Sequence, residues 1–563
     1  MKKPKILWVG EATFLNTGYA NYGRELLQRL YASDKYEIAE YGCYAGQQHV
    51  NQYDRCKWRF YFGLPADQIE DQDYNKKPTN QFGEWRFNDV VLDFKPDYVL
   101  SITDPWMNSY QQLSPYRSFY KWIVMPTVDS EPLQDEWIAT YEDADVLLAY
   151  SEFGKDVLEK STNNVLKVRA VTSPAINFSV FKPTPKEQAR QFLHINPNAL
   201  IVGTVMRNQK RKLFPDLIES FDMLVDANPQ IASQLYLYLH TSYPDLGWDL
   251  PRMIRTSKYP HRIILTYVCR ECKSIFAHAY TDSQCYCPRC GQNTLVLTNT
   301  RVGVTEEQLA QIYSVMDCYV QYAICEGFGM PAIEAAACDV PVVACDYSAM
   351  SSVVERLGGI PIKIDRFFRE AETHAYRSYP SNSDFVEKLS TLLNMPSNLR
   401  SIRYPMRTNC MREYNWDDVA MMWIKILNET STCETTTGWD VAPRIINAQP
   451  QLINGNCSNA EFVDQCIRYI LQSLTTNKTI MYMALRKLRQ LNEGGISHGL
   501  KNNMFAPESY LGTMPSLGAY SREQCVQECM ELVEYFNKWE NRRLSGYVPP
   551  ISVQHAKPDD KEL

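Results

Sequence analysis

The sequence predicts an α/β protein of two doubly wound parallel-sheet domains that face one another across a cleft. Three observations carry that expectation. Short apolar, β-branched runs alternate with helical stretches through most of the first 430 of the 563 residues. The runs are continuously apolar rather than alternating, as strands covered on both faces must be. They also fall into two series, and a chain of this length is too long for one core.

The first series is KILWVG (5–10), DYVLSITD (97–104), KWIVMPTVD (121–129), DVLLAYS (145–151) and KVRAVTS (167–173). The second is ALIVGTVMR (199–207), LYLYLHTS (235–242), RIILTYV (262–268), DCYVQYAI (317–324) and VPVVACD (340–346). The polar segment FKPTPKEQ (181–188) joins them. This places an N-terminal domain over 1–182 and a second over 183–413. In such sheets ligands bind beyond the carboxyl ends of the strands, so the cleft is the place to seek function.

Bulk composition narrows the class. Hydrophobic residues at 45% and charged residues at 22% are globular proportions. A formal net charge of −7 leaves no overall basic footprint, so any nucleic-acid contact needs a local patch. The opening MKKPKILWVGEATF has too short an apolar run for a secretion signal, and no later run reaches membrane-span length. Seventeen cysteines, mostly single and set in apolar stretches, read as reduced thiols in a cytoplasmic setting.

The exception is CRECKSIFAHAYTDSQCYCPRC (269–290). Its two Cys-x-x-Cys pairs, Cys269/Cys272 and Cys287/Cys290, have the spacing of a four-thiolate structural zinc site, with Cys285 and His278 as alternative ligands. A closed thiolate shell has no open position for substrate, so the metal is expected to hold a small ribbon together over 266–299.

Chemistry points elsewhere. In ICEGFGMPAIEAAACD (324–339), a strand is expected to end at Glu326, and a Gly327-Phe328-Gly329 turn leads into a helix opened by Pro331. Glu334 is expected in the first turn of that helix, so both carboxylates can face the cleft and accept from a vicinal diol. In GTVMRNQKRKLFPDL (203–217), Arg207 closes a strand and Lys212 stands at the following helix N-terminus, a pairing suited to a diphosphate. The strand-to-helix turn after residue 10 carries Gly18 and Gly23, where backbone amides can approach an anion.

These segments resemble the retaining GT-B glycosyltransferases, family 4 in particular. EGFGMPAIEAAACDVPVVA looks like the family's E-x7-E motif, and RNQKRK its Arg…Lys phosphate-binding segment. LLAYSEFGKDVL, SPAINFSVFKP and TEEQLAQIYSVMDCYV follow in the family's order, and the likeness covers roughly 5–430. It implies a GT-B fold, with the first domain on the acceptor side, the second binding a nucleotide-diphosphate sugar, and a crossover helix over 414–430. It further implies Glu334 on the donor ribose, Glu326 on the transferred sugar, Arg207 and Lys212 on the diphosphate, and the Gly18 loop closing over the phosphates. Retention of configuration without a catalytic metal is part of the same expectation. The sequence departs from the pattern at the fourth N-domain strand, where many relatives place a histidine and this chain has Asp129, with Glu131 nearby and Asp104 at an earlier strand end. Asp129 is a candidate acceptor base or positioning residue, and His240 a candidate cleft residue.

The acceptor is open. A zinc ribbon on such an enzyme resembles proteins of large tailed bacteriophages that glycosylate hydroxymethylated bases in DNA, which would place this one in a host cytoplasm. The competing reading is a degenerate scaffold that binds nucleic acid or protein through the ribbon. Residues 431–563 are expected to form a helical extension, with a Ser521/Gln524 capping box near its last helix.

Overall fold

The computed structural model describes residues 3–49 and 56–432, apart from 115, 163 and 284, together with the two-residue strand Val553–Gln554. The helices expected beyond 432, and the Ser521/Gln524 box, lie outside the described residues. Two parallel sheets organise the rest. The first contains β1 (Lys5–Glu11), β2 (Glu37–Cys43), β3 (Arg59–Phe62), β4 (Tyr98–Thr103), β5 (Lys121–Pro126), β6 (Val146–Ala149) and β7 (Val168–Val171). Their spatial order is β3-β2-β1-β4-β5-β6-β7, and Val553–Gln554 pairs antiparallel on β3.

The second sheet contains β8 (Leu200–Val205), β9 (Leu235–His240), β10 (Ile263–Cys269), β11 (Ile275–Ala279), β12 (Leu295–Leu297), β13 (Cys318–Gln321), β14 (Val342–Cys345) and β15 (Ile360–Ile362). The order is β11-β10-β9-β8-β13-β14-β15, with β12 paired to β10. A hairpin, β16 (Ile364–Arg369) and β17 (Tyr376–Pro380), leaves this domain's edge. In both sheets strand order reverses once, between β1 and β4 and between β8 and β13. Those reversals open crevices at the carboxyl ends of the strands.

The apolar runs form strands because both faces are covered: all six residues of β4 are buried, as are five of six in β8. Strand β2 was not expected, because Glu37 and Glu40 interrupt its apolar character. Glu40 is nonetheless fully buried, accepting from Thr13 N at 2.7 Å, Thr13 Oγ1 at 2.9 Å and Trp58 Nε1 at 2.7 Å. Burial pushes its pKa to about 7 against those bonds.

After the second domain the chain returns to the first. Helix Trp416–Glu429, capped by Asn415, buries Trp416, Ala420, Trp423, Ile426 and Leu427, a helical stripe. It packs on helix Gly18–Ala32, where Trp423 Nε1 donates to Tyr22 Oη at 2.9 Å and Arg29 pairs with Asp417 at 2.8 Å. Tyr98 Oη donates to the Thr430 carbonyl at 2.7 Å. No described helix is long and apolar enough to cross a membrane. Trp423→Ala is expected to lower unfolding free energy by about 3–5 kcal/mol, read from urea denaturation. A loss below about 1 kcal/mol would mean the returning helix is not part of the cooperative unit.

Candidate active site in the interdomain cleft

At the second domain's switch point, the loop after β8 carries Arg207, Arg211 and Lys212, and the loop after its neighbour β13 carries Glu326. Both loops run past their strands. Strand β8 stops at Val205 and β13 at Gln321, so Arg207 and Glu326 lie beyond the strand ends instead of closing them. The two loops are lashed together by backbone bonds, Ile324 N to Arg211 O at 3.0 Å and Leu213 N to Tyr322 O at 3.2 Å. That lacing lets Lys212 Nζ form a direct ion pair with Glu326 Oε1, both residues being buried. Gln321 Nε2 donates to the same oxygen at 2.8 Å, and Arg211 stands 3.8 Å from the other. Burial, reinforced by Arg211, drives the Lys212 pKa well below the usual lysine range.

Arg207 is half exposed, and its guanidinium forks onto the Asp245 carboxylate at 2.8 and 3.1 Å. Lys212 and Arg207 are therefore both engaged, by Glu326 and Asp245 respectively. Glu334 lies in helix Met330–Ala337 but past its first turn, contrary to expectation, because the helix already begins at Met330, directly after the Gly329 turn (φ 90°) and ahead of Pro331. It is buried rather than capping the helix, accepting from Tyr313 Oη at 2.6 Å. Burial outweighs that bond and pushes its pKa to about 7.

The glycines have separate jobs. A Cβ on Gly327 would stand 2.1 Å from Thr127 Cγ2 of the first domain, so the turn comes as close as a side-chain-free residue allows. The Phe328 ring is buried edge-on to Tyr150 (5.9 Å) and Tyr414 (5.7 Å), so this side chain packs the interface. Gly18 is the first residue of helix Gly18–Ala32, capped by Thr17, and a Cβ there would lie 4.0 Å from Met330 Sδ across the cleft. Gly23 faces inward instead, where a Cβ would meet the Trp8 ring at 2.8 Å.

The first domain presents three carboxylates on adjacent strands: Glu11 ending β1, Asp104 just past β4 and Asp129 past β5. Asp104 accepts from Tyr19 Oη at 2.6 Å, and burial, with Asp129 and Glu11 adding, raises its pKa to about 6. Burial likewise raises the Glu11 carboxyl, while a hydrogen bond from Thr17 and the charge of Arg207 oppose it. Asp129 is tied across the cleft: Arg377 of β17 donates to it at 2.8 Å and Cys325 Sγ at 3.3 Å. The other arm of Arg377 reaches Glu370 at 2.6 Å, and Tyr376 N donates to the Glu131 carbonyl at 2.7 Å. Sequence reading missed Arg377, since a lone arginine in a short hairpin carries no motif. His240 bonds Thr266 Oγ1 through Nδ1 at 2.8 Å, and burial lowers its pKa to about 4, leaving it neutral beneath the loops.

Among the described residues, Cys269, Cys272, Cys287 and Cys290 bring their sulfurs within 4.8 Å of one another. Cys269–Cys290 and Cys272–Cys287 are each 3.6 Å apart, close to the ~3.8 Å edge of a tetrahedron with ~2.3 Å metal–sulfur bonds. The residues fit a metal. Cys285 instead lies 3.6 Å from the Ser283 carbonyl, and His278 is exposed beside the Ala279 carbonyl, so neither expected alternative joins the cluster. The knuckle is not free-standing, because β11 and β12 both pair with β10 and continue the sheet.

Comparison with known proteins agrees with this architecture. Residues 298–364 match the family model described as Glycosyl transferases group 1. The chain is 24% identical over 278 residues to a D-inositol 3-phosphate glycosyltransferase of Streptomyces bingchenggensis, covering 49% of this chain and 51% of that protein. It is 27% identical over 184 residues to the same-named protein of Stackebrandtia nassauensis, covering 33% and 34%. The chain thus spans about half the length, or less, of these curated relatives. Among solved structures it resembles sucrose-phosphate synthase from Thermosynechococcus elongatus, with TM-score 0.55, 15% identity, and coverage of 76% of this chain and 99% of that one. It also resembles Anabaena HepE in complex with UDP and glucose, with TM-score 0.53, 11% identity and coverage of 76% and 99%. The fold is GT-B: two Rossmann-like domains across a cleft.

The raised carboxyl of Glu334 has a testable sign. A carboxyl titrating near 7 when folded and at its ordinary 4.5 when unfolded binds more protons in the native state between those values. Its contribution is fully present below 4.5 and is lost as pH rises through about 7. Glu334→Gln removes this term, so the variant's stability relative to wild type should grow by on the order of 3 kcal/mol between pH 4 and pH 8. Denaturant titrations at the two pH values check it, and a difference independent of pH would contradict the assignment.

Proposed function

We propose that the protein is a glycosyltransferase that moves a sugar from a nucleotide-diphosphate sugar to an acceptor hydroxyl with retention of configuration. The observation that carries the reading is the Lys212–Glu326 pair at the switch point of the second domain, with Arg211 3.8 Å from it and Arg207 on the same loop. It joins cations for a diphosphate to a carboxylate for sugar hydroxyls. The segment match to group 1 transferases and the likeness to a fold solved with UDP and glucose support it.

On this reading Arg207 and Lys212 take the diphosphate and stabilise charge on the leaving phosphate oxygen. Glu326 accepts from a hydroxyl of the transferred sugar, and Glu334 from the donor ribose. Gly18 brings the helix Gly18–Ala32 up to the phosphates, and Gly327 and Gly329 let the turn approach the sugar. The bond from the anomeric carbon to the bridging phosphate oxygen breaks as the acceptor oxygen bonds to the same face, and that departing oxygen takes the acceptor proton. Asp129, bound to Arg377, acts as a positioning residue that fixes the acceptor-side loop against the donor domain. The four thiols hold a structural zinc, whose closed shell leaves no place for substrate, and reduced cysteines of this kind suit a cytoplasmic setting.

The carboxylate row Glu11, Asp104 and Asp129 on the acceptor side favours an uncharged polyhydroxyl acceptor. A hydroxymethylated base in DNA would have to bring its phosphates past that row. The alternative of a degenerate binding scaffold is disfavoured because the donor-side groups are assembled.

Glu326→Gln and Arg207→Ala should each lower transfer by about 10²–10³-fold; Arg207→Ala should leave the melting temperature within a few degrees, whereas Glu326→Gln, which strands the buried Lys212, should lower it by about 10 °C with the chain still folded at about 25 °C. The measurement is mass spectrometry of product from a panel of nucleotide sugars and acceptors. Unchanged turnover in either variant would sink the assignment.

A further inference from the structure

We propose that the four-cysteine knuckle positions the cation loop 207–212, so that an occupied metal site sets affinity for the nucleotide-diphosphate donor. The inference rests on the donor reading above and adds to it a physical connection between two sites that differ in kind.

The connection can be followed bond by bond. Strand β10 runs from the sheet directly into Cys269, and β12 returns from the knuckle alongside it, pairing 295–297 with 269–267. The next residue, Thr298, is buried and makes three bonds in different directions. Its amide donates to Thr266 O at 3.3 Å, its hydroxyl donates to Thr241 O at 2.6 Å, and its carbonyl accepts from Tyr243 N at 2.8 Å. Thr298 therefore fastens the knuckle's exit to the loop 241–249 that follows β9.

That loop is in turn fitted to the cation loop. Asn208, fully buried, donates from Nδ2 to Trp248 O at 2.8 Å and accepts from Trp248 N at 2.9 Å. Trp248 Nε1 donates to the Lys212 carbonyl at 2.7 Å. Asp245, its carboxylate only 1% exposed, holds the Arg207 fork, and a Cβ on Gly247 would stand 2.3 Å from Asn208 Oδ1. A second strut leaves the knuckle from the Lys273 carbonyl, which accepts from Gln308 Nε2 at 3.0 Å. Gln308 belongs to helix Glu306–Ser314, whose Tyr313 holds Glu334.

The knuckle cannot hold this geometry by itself. Its apolar cluster has three buried members, Cys269, Phe276 and Cys287, two of which are metal-site residues. A core that small needs its metal to stay ordered. Loop 241–249 has little regular structure of its own, so losing the Thr298 bonds releases the side of the cation loop that faces away from β13.

The test uses the full chain, metal-loaded or stripped by a chelator, and reads both hydrogen exchange and binding of UDP and GDP by calorimetry. Stripping should raise exchange in 207–212 and 241–249 as well as in the knuckle, and weaken nucleotide binding by about 10–100-fold. Metal-loaded Thr298→Val should raise donor KM by about 5–10-fold with kcat changed less than about 2-fold, and Thr298→Ser should restore it. Faster exchange confined to 269–298 with unchanged nucleotide affinity overturns the proposal, as does a Thr298→Val enzyme with wild-type KM. Should stripping unfold the whole chain, the Thr298 pair decides, since both are measured metal-loaded. If the loaded protein binds neither nucleotide, the donor reading falls, while exchange in 241–249 still judges the strap.

Discussion

The buried pair of Lys212 and Glu326 is the constraint from which the rest of the cleft follows. Two charges taken from water at a sheet's switch point persist only if each is held on the other with its remaining valences filled. Removing one partner from such a pair costs about 3–5 kcal/mol, so the loops after β8 and β13 are not free to drift apart. The lacing of Ile324 to Arg211 and of Leu213 to Tyr322 is the backbone's share of that demand. Gln321, reaching back from the end of β13 to Glu326, is the side chains' share. With Glu326 fixed, the turn after it has one course, and Gly327 meets Thr127 where that course crosses into the other domain.

Much of this was legible in the sequence because it depends on periodicity and spacing. Continuous apolar runs announced the central strands of both sheets. The interval from Glu326 to Glu334 announced a strand, a turn and a helix, and paired Cys-x-x-Cys announced a cluster of four thiols. Where the reading slipped, it slipped at element ends. Arg207 and Glu326 were placed at strand termini and Glu334 in a first helical turn. The structure extends both loops and starts the helix one residue early, at Met330, since apolar pattern says little about where a backbone leaves its ladder.

What the sequence concealed is long-range pairing. Glu40 reads as a surface residue until Thr13 and Trp58 supply donors from either side of it. Arg377 reads as an ordinary charge in YRSYP, yet it joins the two domains through Asp129, far away in the chain. Strands β2 and β15 went unseen for a related reason: one carries glutamates and the other a proline, and only their neighbours make them strands. The knuckle's union with β10 was hidden too, because pairing to an existing edge leaves no mark on the inserted residues.

The two walls of the cleft carry opposite charge, and without a ligand they neutralise one another and themselves. Arg207 is forked onto Asp245 and also feels Glu11, Lys212 is on Glu326, and Arg211 lies between Glu326 and Asp104. A diphosphate entering here finds cations already engaged, so on the proposed reading binding is an exchange of partners. Lys212 would turn toward phosphate, and Glu326 would turn toward the sugar hydroxyls that replace the ammonium. Such an exchange is productive only if the loops stay put while the partners change. On the same reading Asp245 would stay on Arg207 and aim the fork, with phosphate taken at the exposed side of the guanidinium. On the proposed readings that gives loop 241–249 its place in the chemistry, and gives the four-cysteine ribbon beneath it a reason to sit at the cleft end of β10.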